Sequence, residues 1–256
     1  MAASSYAVPA TSSEIYRAIE MHRFDQARLM IAAADAAGAS GETVERALAA
    51  LAFAEGRNEE ALKRLTALLR ENPDDSMLLE QATIAALRTG QTAIATRFAI
   101  RAVRHPAASW RAWNARGVTA DRASDWSNAD RAYAQADALA PRRAETANNL
   151  GWSRLLRGDW PGAADAFERA VTIDPASVRM ANNLDLARIA LAQDLPTRRA
   201  QETSTAYAAR LNDAGVAAQA RGDAARARAA FAQAIVASGH WYARANANLA
   251  SVEGGR

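Results

Sequence analysis

The chain has 256 residues, half of them apolar, and a formal net charge of only +3. That is enough chain to bury a continuous core, and too little charge to imply nucleic acid as a partner. Cysteine is absent, which excludes disulfides, thiol catalysis and cysteine-based zinc sites. The sequence pI of 9.7 overstates basicity, because Lys63 is the only lysine and the excess is a few arginines.

Residues 1–11, rich in Ala and Ser with Pro9, lack a basic stretch followed by an apolar one and are read as a flexible leader. Residues 14–20 are predicted as a first helix and 24–37 as its partner, with a break at 38–41. Residues 42–55 and 58–71 form the next pair, closed by Asn72-Pro73. Asp75 offers an N-cap for a helix reaching Thr89. Gly90 then turns the chain into a helix over 92–104, ended by His105-Pro106. Ser109 is suited to cap a helix over 110–123, and Asp125-Trp126 opens a partner that ends near Leu139, before Pro141. Residues 144–177 hold the clearest pair. Leu150, Gly151 and Leu155 share one face of its first helix, and Ala163, Phe167 and Ala170 one face of its second. Gly151 and Ala163 are small where two helices approach, and Phe167 fills the space beyond. Gly158 makes the turn, and Asp174-Pro175 stops the second helix.

Residues 178–193 are predicted as one more helix, covering the exposed end of the preceding pair. Asp194, Leu195 and Pro196 then stand where a turn and a second helix belong, so 194–201 is read as a break or linker, either a kink or a joint. The pattern restarts with its phase slipped at Leu211, Gly215, Gly222, Ala227, Phe231 and Ala234. Gly239 replaces the closing proline, and 241–252 is predicted as a last capping helix.

The pair recurs in step. Trp113, Gly117, Ala129, Tyr133, Ala136 and Pro141 precede Ala147, Gly151, Ala163, Phe167, Ala170 and Pro175 by one period of 34 residues. Weaker copies precede those, down to His22, Ala27, Ile31 and Ala34. This resembles the tetratricopeptide repeat (TPR), a helix-turn-helix unit of ~34 residues. The resemblance implies an all-α, right-handed superhelical solenoid. Five units plus a cap helix are expected over 12–193, and a final unit plus cap helix over 202–256.

No phosphate-binding loop, nucleophile elbow or zinc-protease motif is present. His22, His105 and His240 fall in different repeats and are read as turn or surface residues. Asp74-Asp75 is read as capping rather than metal binding, and no cofactor is expected. Asparagine is the clearest pattern outside the core. Asn114, Asn148 and Asn182 recur in register, Asn149 and Asn183 double it, and Asn212 and Asn246 repeat the spacing after the slip. Asparagine is a poor helix-interior residue. Either its amide bonds neighbouring turns, or a row of amides holds an extended peptide backbone. On the second reading Asn114, Asn148, Asn149, Trp152, Asn182, Asn183 and Asn212 line a partner-binding groove, with Trp152 as an aromatic anchor.

The segment NNLGWSRLLRGDWPGAADAFERAVTIDPASVRMANNLDLARIAL resembles the TadD-type TPR proteins of tight-adherence (Flp) pilus assembly. The resemblance covers 144–191. It implies a non-enzymatic scaffold assisting pilus or secretion-system assembly, with pilus or secretin components as partners. It also implies a periplasmic or outer-membrane-associated location where a leader and a lipid-bearing cysteine have been removed, and a cytoplasmic one otherwise. The alternatives are a cytoplasmic TPR adaptor or co-chaperone-like module, and an RNA-binding helical-repeat protein. RNA binding calls for a basic, aromatic inner face. The inner positions instead mix Asn, Val and Leu with Asp121 and Glu145.

Overall fold

The computed structural model describes residues 11–191, 195–239 and 242–254, and among these it holds fourteen α-helices and no strand. The expected leader up to residue 10, the tail of the helix expected to reach 193, Asp194, His240 and Trp241 lie outside the described residues.

Each predicted pair is present: α1 (Ser12–Glu20) with α2 (Phe24–Ala36), α3 (Gly41–Ala54) with α4 (Asn58–Glu71), α5 (Ser76–Arg88) with α6 (Thr92–Ala102), and α7 (Trp110–Arg122) with α8 (Trp126–Leu139). After these come α9 (Ala144–Leu156) with α10 (Trp160–Ile173), the single α11 (Val178–Leu191), then α12 (Ser204–Ala220) with α13 (Ala224–Ser238), and α14 (Ala243–Gly254).

Local chemistry sets where these helices begin. Thr11 and Glu14 close a reciprocal capping box on α1, and Ser40 accepts from the Thr43 amide at the start of α3. Such caps satisfy amides that have no partner inside the helix. Asp75 accepts from the amides of Met77 and Leu78, both at 3.0 Å, and also binds the Arg46 guanidinium at 2.8 Å. Burial pushes its carboxyl up, but the Leu78 amide and Arg46 outweigh burial and hold it below the usual carboxylate range. Asp75 is thus a cap tied to the preceding repeat.

The turns keep the period. His22, Gly56, Gly90, Ser124 and Gly158, 34 residues apart, all have positive φ, between 55° and 80°. The αL conformation closes each first helix and costs a side-chain-bearing residue more than glycine. His22 therefore occupies a turn position, as its spacing predicts.

The paired helices trade volume at one facing position. A Cβ on Gly117, Gly151 or Gly215 would lie 2.6, 2.5 or 2.4 Å from the ring of Tyr133, Phe167 or Phe231. Those three rings are among the most buried side chains in the molecule. At the same position the earlier repeats place Ile15 over Ile31, Ala49 over Leu65 and Thr83 over Ala99, all buried. An aromatic ring on the second helix thus goes with a glycine on the first, whereas aliphatic residues there tolerate a side chain opposite, as expected of an interior packed at crystal density.

Residues 1–139 and 140–256 form two compact units. The first holds α1–α8, with one apolar cluster around Ile15, Ile31 and Leu51 and a larger one around Leu65, Leu79 and Ala82. Here Tyr133 donates to the Asp121 carboxylate at 2.6 Å, and both groups are buried. The second holds α9–α14, with clusters around Met180, Phe167 with Leu184, Leu211 with Ala245, and Phe231 with Ala227. The compact division therefore falls at 139/140, and the break expected at 194–201 lies inside the second unit.

That break is not loosely held. Leu195 packs against the cluster around Leu211, Pro196 is buried, and Tyr207 donates to the Pro196 carbonyl at 3.1 Å. Arg199 pairs with Asp185 of α11, and Arg210 of α12 pairs with both Asp185 at 3.3 Å and Glu202 at 2.9 Å. A stretch without helical periodicity reads as a linker in one dimension. Here its described residues, 195–203, tie α11 to α12 through these contacts without forming a helix.

Candidate partner-binding groove

Within the second unit, helices α9, α10, α11 and α12 border a groove of about 240 Å³. Its lining is mostly apolar: Trp152 and Leu155 from α9, Trp160 from α10, Leu186 from α11 and Val216 from α12, with Asn182, Asn183 and Asp213 as its polar members. Trp152 is 36% exposed and Val216 47% exposed, and Leu156 of α9 and Val178 of α11 are exposed as well. Trp152 is not loose. Its ring meets the buried Phe167 ring edge to face, with centroids 5.8 Å apart and planes at 78°. The helical pattern gives this arrangement, since Trp152 follows Gly151, the residue that seats Phe167.

The asparagines divide into two groups. Asn148 is 2% exposed, and its oxygen accepts from the Asn183 amide at 2.6 Å. Asn212 is 1% exposed and accepts from Asn248 at 2.9 Å. These amides join one first helix to the next. A buried amide needs such a partner, so the local reading of the row accounts for Asn148 and Asn212. Asn246, after the slip, donates to the carbonyl of Tyr242, just before its own helix, at 2.9 Å. Asn182 is exposed, and its oxygen accepts from Arg199 at 3.1 Å. Asn149 is half-buried on α9, and Asn114 is half-buried on α7 of the first unit. The residues that the structure brings to one groove are therefore Trp152, Asn182 and Asn183.

Sequence reasoning missed Asp213, Val216 and Leu186. It also missed Asn248, whose spacing from Asn212 is 36 residues where that of Asn183 from Asn148 is 35. The available signal was the sequence Asn-Asn-Leu-Asp-Leu at 182–186 beside Leu-Asn-Asp at 211–213. A second cavity of about 460 Å³ adjoins and shares Asn182, Leu186 and Asp213. Its charged groups Asp185, Glu202, Arg199 and Arg210 pair with one another. Burial pushes the Asp213 carboxyl up, against the bond from Asn212 and the charge of Arg244. Among the described residues, no group of three or more His, Asp or Glu is placed to hold a metal ion. No described helix is long and apolar enough to cross a membrane.

No protein-family model matches the chain, and no curated protein matches it in sequence. Solved structures do match in fold. PilW, described as a widely conserved type IV pilus biogenesis factor, aligns with a TM-score of 0.58 at 15% identity, over 94% of this chain and 96% of that one. A tetratricopeptide repeat protein from Parabacteroides merdae gives the same score, identity and coverage. YrrB, described as a TPR protein with an unusual peptide-binding site, aligns with a TM-score of 0.52 at 16% identity, over 65% of this chain and 86% of that one. At these identities the likeness shows the fold, and the fold is that of TPR proteins.

Proposed function

We propose that this TPR chain is a non-enzymatic scaffold that holds an extended segment of a protein partner in the groove of its second unit. One observation carries the reading: Trp152 is left exposed on an apolar floor while Phe167 fixes its ring. A rigid, half-exposed aromatic offers contact area at little entropic cost, which is why tryptophan is enriched in binding hot spots. At about 240 Å³ the groove lies below the range of small-molecule pockets. It suits one or two side chains of a longer segment, whose backbone would bond the amide of Asn182 at the polar edge.

The finer reading is a role in bacterial pilus or secretion-system assembly. The resemblance of 144–191 to TadD-type proteins supports it, and a fold shared with a pilus biogenesis factor agrees with it. The test is capture of partners from the native host with the parent chain and with Trp152→Ala, followed by calorimetry on what the parent retains. Loss of the aromatic anchor should weaken binding by ~2 kcal/mol or more, with helicity retained and melting lowered only by the lost ring contact with Phe167, worth ~0.5–1.5 kcal/mol. Asn182→Ala should cost ~0.5–1.5 kcal/mol. Equal affinity of parent and Trp152→Ala would remove the groove from the account. Retention of no pilus or secretion component would remove the finer reading alone.

A further inference from the structure

The chemistry of the groove narrows the partner. Its floor is Trp152, Leu155, Leu186 and Val216, and its polar edge carries one charged side chain, Asp213, beside the carboxamides of Asn182 and Asn183. The neighbouring charges are already committed: Arg199 and Arg210 to Asp185, and Arg210 also to Glu202. Asp213 has a different setting. It takes a bond from Asn212 and faces Arg244 only as a through-space charge. Its carboxylate thus stands exposed to solvent at the edge of an apolar slot. An anionic segment would be repelled there, and a wholly apolar one would leave the charge stripped of water without compensation.

We propose that the occupant is a protein segment in which an apolar side chain lies next to a lysine or arginine, the apolar group on the Trp152 floor and the cation on Asp213. This rests on the scaffold reading and adds the class of partner. Two features of the site support the cation. Its charge complements Asp213, and a half-exposed tryptophan lining the same groove is a further partner for a guanidinium or ammonium.

The experiment is selection from a phage-displayed library of random dodecapeptides, with the full chain, Trp152→Ala and Asp213→Asn as baits. Circular dichroism confirms that each bait is folded. The parent should enrich sequences with a large apolar residue within two positions of Lys or Arg. Asp213→Asn should keep the apolar enrichment and lose the basic one, and Trp152→Ala should lose both. For the best parent peptide made synthetically, fluorescence anisotropy should show about three- to tenfold weaker binding to Asp213→Asn at low salt, and less difference at high salt. Enrichment that depends on Trp152 but shows no basic preference, or an acidic one, overturns this inference and leaves the scaffold reading standing. Enrichment indifferent to Trp152, or none at all, overturns both.

Discussion

Gly151 and Phe167 show how tightly single residues are set. A methyl on Gly151 would stand 2.5 Å from the Phe167 ring, and a fully buried ring between two helices has nowhere to go. Alanine normally stabilises a helix interior relative to glycine by ~0.5–1 kcal/mol. Here Gly151→Ala is expected to destabilise, by ~1–3 kcal/mol, read as a lowered melting temperature. Adding Phe167→Leu should recover part of the loss, because Ala49 over Leu65 packs that position in an earlier repeat. Tyr133 and Asp121 form the buried polar counterpart. Tyr133→Phe removes a donor from a buried carboxylate, at a cost of ~1–3 kcal/mol near neutral pH. Burial first, and the Asp121 charge second, push the Tyr133 hydroxyl well above its usual pKa. Its folded pKa is thus raised, so the unfolded chain loses this proton first. Stability from this group is complete below pH ~10 and falls as pH rises beyond it. Tyr16 and Tyr242 are raised by burial as well, so Tyr133→Phe should lessen the alkaline fall in melting temperature without abolishing it. A variant as sensitive to alkali as the parent would place that loss elsewhere.

At the scale of elements, the loop between α11 and α12 takes the place of a missing second helix. Its composition predicts the most protease-sensitive interior stretch. Its contacts predict the opposite, because local opening must break the ion pairs of Arg199 and Arg210 and expose Leu195 and Pro196. Arg198 and Arg199 offer trypsin two sites there. The parent should resist brief digestion at these sites. Arg210→Ala should loosen the loop and raise cleavage at Arg198 and Arg199 several-fold, since Arg210 of α12 pairs with both Glu202 of the loop and Asp185 of α11. Cleavage of the parent there before any cut within a helix pair would restore the linker reading. The helices themselves were legible in the sequence, from Asp75 as a cap to Gly239 as an αL stop at φ 68°. Caps and turns are decided within four or five residues, and the sequence displays those residues side by side.

For the whole molecule, the division at 139/140 has a testable consequence. The apolar clusters around Met180, Leu184, Leu211 and Phe231 draw only on residues 140–256. That segment expressed alone should be helical and melt in one cooperative transition, followed by circular dichroism. A broad, non-cooperative melt would show that it depends on residues 1–139. The groove lies entirely in this segment, so the same protein should keep the Trp152-dependent binding proposed above.

The sequence by itself determined the repeat, the helix pairs, the turn row from His22 to Gly158 and the glycine-to-aromatic packing. All of these rest on short-range periodicity or on a constant offset inside one hairpin. Only the tertiary structure decided what the asparagines do. Asn148 and Asn182 hold equivalent repeat positions, yet one is buried against Asn183 and the other is exposed. The difference arises from the neighbour. Asn148 lies under α11, whereas Asn182 faces a loop that replaces a helix. The same replacement shifts the phase, so that Gly222 follows Gly158 by four residues less than two periods. It is this shifted α12 that carries Asp213 and Val216 to the groove. Such contacts are set by how one helix pair stacks on the next, and no periodicity within a pair contains that information.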